Sequence, residues 1–347
     1  MCKSVIKGIG HYVPDNVVTN DDLAKIMDTN DEWITERTGI KERRHRTSKF
    51  DSQETTSFYG FKASEKALES AGLTAKDIDY IIFATLSPDY YFPGCGVVLQ
   101  EMLGCDTIGA LDVRNQCSGF VYALSVADAF IKAGQYKNIL VVGAEIQSVA
   151  LDMTDRGRGV SVIFGDGAGA VVLSASEDAG VQGILSYNMH SEGKYAEELM
   201  IKLPGTNLGW TDRLLTEPEN IKPKEIYPYM NGNFVFKQAV TRFPETIIES
   251  LKKAGKTVED LDMLIPHQAN IRISQYVQQL MGLPDEKVFN NIQKYGNTTA
   301  ASIPIALSEA IAEGKVKRGD LVCLAAFGSG FMLNLISTGL PFMDMSA

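Results

Sequence analysis

Residues 75–87, AKDIDYIIFATLS, return in altered form at residues 258–270 as VEDLDMLIPHQAN. Asp77-Ile78-Asp79 lies over Asp260-Leu261-Asp262, and each triplet leads into a short apolar run of strand character. Further echoes keep the same order. FGDGAGAVVLS (164–174) is answered by FGSGFMLNLIS (327–337), with Phe, two Gly and Ser in register. Between them, CSGFVYALSVADAFIKAG (117–134) lies over NTTAASIPIALSEAIAEG (297–314), both running eighteen positions from a polar residue to a glycine. Three echoes in one order indicate a duplication. Within each copy, helices alternate with buried strands. SFYGFKASEKALESAG (57–72) has helical spacing and stops at Gly72, while YIIFATL (80–86) and NILVVGAE (138–145) read as strands. GDGAGA (165–170) precedes a strand instead of opening a helix, so it reads as close backbone packing, not a dinucleotide fingerprint. The expectation is an α/β chain of two related halves, residues 1–176 and 177–347.

A chain of 347 residues with 45% hydrophobic and 22% charged residues has the composition of a soluble globular protein and is too long for one ordinary core. No apolar run approaches bilayer length, which argues against a membrane partner. The start, MCKSVIKGIGHYVPDN, lacks the apolar stretch and cleavage site of a secretory signal, so a cytoplasmic location is expected. A formal net charge of −10 argues against nucleic acid as the main partner. KERRHR (41–46) and the pair Lys237 and Arg272 are local basic patches, each a solvated face unless an acidic partner docks there. The five cysteines, Cys2, Cys95, Cys105, Cys117 and Cys323, match no zinc or redox spacing. His11, His45, His190 and His267 are scattered singly, so no metal site is expected.

The helix after Cys117 is apolar nearly all round and must therefore be buried. Its start carries unpaired N–H groups and a partial positive charge, which pulls a thiol toward thiolate. Under the duplication, Cys117 and Asn297 open equivalent helices, and His267 lies in the loop after the echoed strand. Such loops gather at one sheet edge, where ligands bind. Each residue has a plainer reading: a buried small thiol, a core histidine, a helix-capping asparagine. Taken together they form a Cys-His-Asn set. One chemistry for that set is a cysteine hydrolase. The other is condensation through an enolate, with the Asn amide and a neutral His Nε2–H converging on one oxygen. FGSG (327–330) offers backbone N–H groups for a tetrahedral oxyanion.

The stretches IKGIGHYVPDNVVTNDDL, DEWITERTGIKERR, CSGFVYALSVADAFIKAG, TDRG, FGDGAGAVVL, PHQANIRI, YGNTTAASIPIAL and AAFGSGF span nearly the whole chain. In this order they resemble the beta-ketoacyl-acyl-carrier-protein synthase III family of the thiolase-like superfamily. The resemblance implies a duplicated five-layered α/β/α/β/α sandwich, a homodimer, and decarboxylative Claisen condensation of an acyl-CoA primer with malonyl-acyl carrier protein. It implies no cofactor, acyl-CoA being a substrate. Carried over by motif, Cys117 is the acylated nucleophile, and His267 and Asn297 promote decarboxylation and hold the enolate oxygen. The backbone N–H groups of Cys117 and Ser329 form the oxyanion hole. Trp33 and Arg156 sandwich the CoA adenine, a role their side chains suit. Arg37 and Asn270 line the CoA channel, Phe92 reaches the acyl pocket of a partner subunit, and Lys237 and Arg272 dock the carrier protein.

The chain also departs from the family pattern. Gly328-Ser329-Gly330 replaces three glycines, and Gln278 and Gln279 stand where lysines are common. The segment 200–233 is longer than usual, and LPFMDMSA extends past the typical end. The alternatives are a related condensing enzyme acting on other thioesters and a thioester hydrolase. Joining two acyl chains without decarboxylation needs a carboxylate near the thiol; Phe92-Pro93-Gly94 supplies none, and Asp89 is the nearest acid in that stretch. The missing Cys-x-Gly argues against a two-cysteine thiolase, since Leu-Ala follows Cys323 in a buried strand.

Overall fold

The apolar runs assemble into two mixed sheets. The computed structural model describes residues 2–48, 53–180, 182–206, 210–329 and 332–339. The first sheet contains β1 (Lys3–Tyr12), β2 (Tyr80–Ala84), β3 (Gly109–Val113), β4 (Asn138–Glu145) and β5 (Gly167–Ser176), in the order β1-β5-β4-β2-β3. The second contains β6 (Gly183–His190), β7 (Met263–Pro266), β8 (Leu321–Gly328) and β9 (Met332–Gly339), in the order β6-β9-β8-β7. In the first sheet β4, β2 and β3 are parallel, and β5 runs antiparallel to β4 and β1. In the second, β7 and β8 are parallel, and β9 runs antiparallel to β8 and β6. A lone parallel bridge from Leu264 to Val288 stands where the first sheet has β3. The two sheets thus repeat one winding.

Helices cover the strands on both faces, which is why the strands read as continuous apolar runs. They are α1 (Asp31–Thr38), α2 (Thr56–Ala71), α3 (Cys95–Leu103), α4 (Gly119–Lys132), α5 (Gly232–Lys253), α6 (Ile271–Met281) and α7 (Ser302–Ala312). Helices α4 and α7 lie between the sheets. One core unites Phe120, Val121 and Leu124 of α4 with Ile303 and Leu307 of α7, Val141 of the first sheet and Leu324 of the second. Alternate residues of β4, Leu140 and Val142, face outward onto Tyr59, Ala63 and Ala67 of α2. On the far side, Phe243 and Ile247 of α5 and Val277 of α6 cover Leu264, Cys323 and Ala325. The layers run α/β/α/β/α. The central layer carries much of the stability: cutting fully buried Phe120 to alanine removes about 3–5 kcal/mol.

The duplication corrects one detail of the sequence reading. Gln116 (φ 44°) and Thr299 (φ 52°) both have left-handed backbone, and each is the first residue of a 3-10 turn leading into α4 or α7. They are 183 positions apart, as are Asp79 and Asp262, whose N–H groups donate to Asn138 and Leu321. At that spacing the counterpart of Cys117 is Ala300, and Asn297 lies two residues upstream of the turn. The glycine-to-glycine match was misleading because α7 is shorter than α4 and a longer turn follows Gly314. Among the described residues no helix is long and apolar enough to cross a membrane.

Candidate active site

The sulfur-bearing turn is built by close backbone approach. After β3 the chain turns through left-handed Gln116, and Cys117 sits in the 3-10 turn 116–118. The end of β8 packs on it: a Cβ on Gly328 would lie 3.0 Å from Cys117 Cβ. Gly165 and Gly169 likewise meet Tyr295 and Pro304 where a Cβ would clash, as the close-packing reading of GDGAGA expects. Cys117 is only 9% exposed. The N–H groups of Cys117 and Ser329 bond to its sulfur and pull its pKa down, but burial and the charge of Glu145 outweigh them and push it up to about 12. The expected ease of ionisation is therefore absent. The resting group is a thiol, because desolvation disfavours the anion more than nearby N–H groups favour it. Gly330 of the Gly-Ser-Gly turn lies outside the described residues, as does the C-terminal LPFMDMSA.

His267 follows β7, where its N–H donates to Ala325 O at 2.7 Å. Its Nδ1 is 2.5 Å from Ser302 Oγ, which also accepts from the Gln268 N–H at 3.3 Å. Nε2 is buried and has no hydrogen-bond partner among the described residues. Burial alone lowers the imidazole pKa to about 3, so the ring is neutral. Asn297 is pinned to the other half of the molecule. Its N–H donates to Ile163 O at 2.8 Å, and its carbonyl accepts from Gly165 N–H at 3.0 Å. Its side-chain Oδ1 accepts the Thr299 N–H at 2.8 Å, which turns the NH2 end away from that turn. One cavity of about 1240 Å³ is lined by Cys117, His267, Asn297 and Ser329 together.

Two further residues of this centre escaped the sequence reading. Glu145, wholly buried at the end of β4, accepts from Leu86 N–H (3.1 Å), Thr85 Oγ1 (3.2 Å), Ser87 Oγ (2.7 Å) and Ala300 N–H. Burial raises its pKa to about 7 against the pull of those donors. Gln147, two residues on, donates from Nε2 to Thr299 Oγ1 at 2.9 Å. The available signal was a lone acid closing an otherwise apolar strand, NILVVGAE.

The same cavity is lined by Trp33 and Arg37 of α1 and by Asn270 and Arg272 at the start of α6. Asn270 Nδ2 donates to Arg37 O at 2.9 Å, and left-handed Gly39 lets Ile271 press against the end of α1. The guanidinium groups of Arg37 and Arg158 lie 4.6 and 5.6 Å from the Trp33 ring centroid. Arg156 is placed differently from the expected pairing. It lines an adjoining recess of about 180 Å³, pairs with Asp152 at 2.5 Å and faces the Tyr227 ring at 6.0 Å. The long 200–233 segment walls both spaces: Ile201, Leu203 and Met230 line the large cavity, while Pro223 and Tyr227 line the recess. Lys237 is exposed on α5, next to Phe236, whose ring lies 5.8 Å from the Arg272 guanidinium. Phe92 is 81% exposed and is not part of the lining of this chain's own cavity. Among the described residues, no cluster of three or more His, Cys, Asp or Glu has the makings of a metal site.

The chain has extensive relatives. Residues 111–193 match the profile of the family 3-oxoacyl-[acyl-carrier-protein] synthase III, and residues 251–336 match that of its C-terminal part. The beta-ketoacyl-[acyl-carrier-protein] synthase III of Aquifex aeolicus is 48% identical over 94% of this chain and 96% of its own. The crystal structure of the Aquifex aeolicus 3-oxoacyl-[acyl-carrier-protein] synthase III superposes with a TM-score of 0.86, covering 96% of this chain and 99% of that one at 46% identity. The synthase III structure from Thermus thermophilus gives a TM-score of 0.88 at 37% identity, covering 98% and 100%.

Proposed function

Because this chain belongs to the beta-ketoacyl-[acyl-carrier-protein] synthase III family, we propose that Cys117, His267 and Asn297 carry out its reaction. The enzyme is an acyltransferase of the condensing type. It joins an acyl-CoA primer to malonyl-acyl carrier protein with loss of carbon dioxide, giving a 3-oxoacyl-acyl carrier protein and starting fatty-acid synthesis. The thiolase-like fold is that of its structural relatives.

In the first half-reaction the Cys117 sulfur attacks the primer carbonyl. The new C–S bond forms as the thiol proton passes to the departing CoA sulfur. The negative oxygen sits on the N–H groups of Cys117 and Ser329, which are fixed before substrate arrives and cost no reorganisation. In the second half-reaction the malonyl group loses carbon dioxide, and the electron pair flows onto its thioester oxygen. Donors from His267 Nε2–H and the Asn297 amide stabilise that enolate. Its carbon then attacks acyl-Cys117, the C–S bond breaks, and the departing thiolate takes up one proton from solvent to restore the resting thiol. A neutral imidazole suits this role, because Ser302 can donate to Nδ1 and leave the proton on Nε2.

The observation that carries this assignment is the buried, unpartnered His267 Nε2 in the cavity that also holds Cys117 and Asn297. Trp33, Arg37, Asn270 and Arg156 are assigned to CoA, Lys237 and Arg272 to the carrier protein, and Phe92 to the acyl pocket of a second subunit in a homodimer. No separate cofactor is assigned. The halves 1–176 and 177–347 and a cytoplasmic location complete the reading. The test is intact-mass spectrometry after mixing with acyl-CoA. Cys117→Ala is expected to gain no acyl mass, while His267→Ala gains it but releases no carbon dioxide from malonyl-acyl carrier protein. Full condensation by Cys117→Ala would overturn the assignment.

A further inference from the structure

The end of β4 holds the turn that aims Asn297. Gly143 and Glu145 share one side of β4, by its two-residue period, and Gln147 follows just past the end of the strand. Gly143 has no Cβ, so Ala300 O packs against it. Glu145 takes the Ala300 N–H, and Gln147 Nε2 donates to Thr299 Oγ1 at 2.9 Å. Gln147 is 3% exposed and Thr299 1% exposed, so this bond has little water to compete with it. Thr299 is β-branched yet left-handed (φ 52°), a conformation such residues rarely adopt unless held. In that conformation its N–H reaches Asn297 Oδ1 at 2.8 Å. Loss of that bond would let the amide rotate and present oxygen, not NH2, to a ligand.

Resting on the function assigned above, we propose that Gln147 is a positioning residue for decarboxylation: it clamps Thr299 so that the Thr299 N–H fixes the Asn297 carboxamide with its NH2 toward the enolate oxygen. The residue belongs to the half that carries Cys117, but it serves the half that carries Asn297. Its effect falls on the second half-reaction, because acylation of Cys117 uses the N–H groups of Cys117 and Ser329 instead.

The test uses enzyme preloaded with an acyl group on Cys117 and measures carbon dioxide released from malonyl-acyl carrier protein. Gln147→Met keeps the size and loses the amide. It is expected to slow release about tenfold more than it slows acylation, a difference of about 1.4 kcal/mol in barrier. Gln147→Asn, with the amide drawn back by one methylene, is expected to show the same selective loss. A glycine at 299 takes positive φ without a clamp, so Gln147→Met with Thr299→Gly is expected to recover most of the release. Equal loss in both half-reactions, or a double variant no faster than Gln147→Met, overturns the proposal. If Asn297→Ala itself released carbon dioxide at the native rate, the functional reading would fall as well. Slow release by Asn297→Ala beside normal release by Gln147→Met overturns the clamp alone.

Discussion

Ser302 Oγ lies 2.5 Å from His267 Nδ1, and among the described residues no other group bonds to that ring. Ser302 opens α7, so the central helix of the second half fixes the orientation of the imidazole. Ser302→Ala leaves Nδ1 without a partner and the proton unassigned between the two nitrogens. Condensation is expected to fall about tenfold, the worth of one charge-free hydrogen bond in a dry site, with acylation of Cys117 unaffected. Steady-state condensation and burst acylation, measured on the same preparation, check this. An equal fall in both would reduce Ser302 to packing.

Because burial holds His267 neutral with a pKa near 3, its donor state does not change between pH 5 and 8. Carbon dioxide release by preloaded enzyme is expected to show no histidine inflection near 6.5, the ordinary value. A pH–rate profile that loses activity on acidification through 6.5 in the native enzyme, and not in His267→Gln, contradicts a permanently neutral ring.

The Cys117 thiol, at about 12, predicts slow alkylation of the free enzyme. The rate with iodoacetamide is expected to climb about tenfold per pH unit from 7 to 10 without levelling, because the thiolate is the nucleophile. At pH 9 the Glu145 carboxyl is ionised, so Glu145→Gln is expected to alkylate severalfold faster there. Peptide mapping of residue 117 separates it from the other thiols. A plateau near pH 8.5 would show an ordinary cysteine.

Glu145 also gives a stability signature. Its folded pKa, about 7, is raised above the ordinary 4.5, so the unfolded chain gives up this proton more readily. Stability held below pH 4.5 is lost as pH rises toward 7, then stays constant. Over that window Glu145→Gln, which cannot ionise, is expected to gain about 3 kcal/mol on the native protein, other groups titrating alike in both. Urea unfolding at pH 4.5 and 8 measures the difference. A gap that does not change with pH would mean that Glu145 is charged throughout.

The duplication was legible because its echoes are hydrogen-bonding devices. Thr74 and Thr257 N–H each donate to an Asp three residues on, at 2.8 Å. Asp79 and Asp262 each accept the N–H that opens β4 or β8. A repeated Asp-x-Asp therefore marks a repeated strand start. The register at the helix openings was not legible, since it depends on left-handed Gln116 and Thr299, which no residue type announces. Nor was the state of the sulfur. A helix start is visible in sequence, but the opposing terms are burial and an acid from β4, and only the fold brings these to Cys117. Arg158 escaped the reading because the Trp33 ring that it faces is distant in the chain.

Arg156 and Arg158 make separate predictions. Trp33→Ala and Arg158→Ala are expected to raise KM for acyl-CoA with kcat unchanged, by roughly two- to thirtyfold for a stacking cation and ring. Both arginines are salt-bridged, Arg158 to Asp28 at 2.7 Å and Arg156 to Asp152 at 2.5 Å, but Arg156 faces the recess and the Tyr227 ring, so Arg156→Ala is expected to raise KM less. Steady-state kinetics with varied acyl-CoA decide between them. A larger effect from Arg156 would restore the pairing that the family pattern implied.

A rival use of the same centre would join two acyl-CoA molecules without loss of carbon dioxide. Removing a proton from an unactivated acyl chain requires a base with a free oxygen beside the thioester. Asp89 Oδ1 accepts from Ser57 N–H at 3.0 Å and from the Cys95 thiol at 3.8 Å, which holds the carboxylate against the starts of α2 and α3. Glu145 is closer to the chemistry, but its carboxylate already accepts from Leu86, Thr85, Ser87 and Ala300. Freeing it would strip a buried carboxylate of its donors, which is far costlier than using an extender that forms its own enolate by losing carbon dioxide. With acyl-CoA alone the enzyme is expected to stop at acyl-Cys117, with one equivalent of CoA released and no 3-oxo product. Addition of malonyl-acyl carrier protein is expected to discharge that intermediate with one carbon dioxide per product. Chromatography of the products with labelled acyl-CoA checks both steps. A 3-oxo product formed before any malonyl thioester is added would show that one of these carboxylates does act as a base.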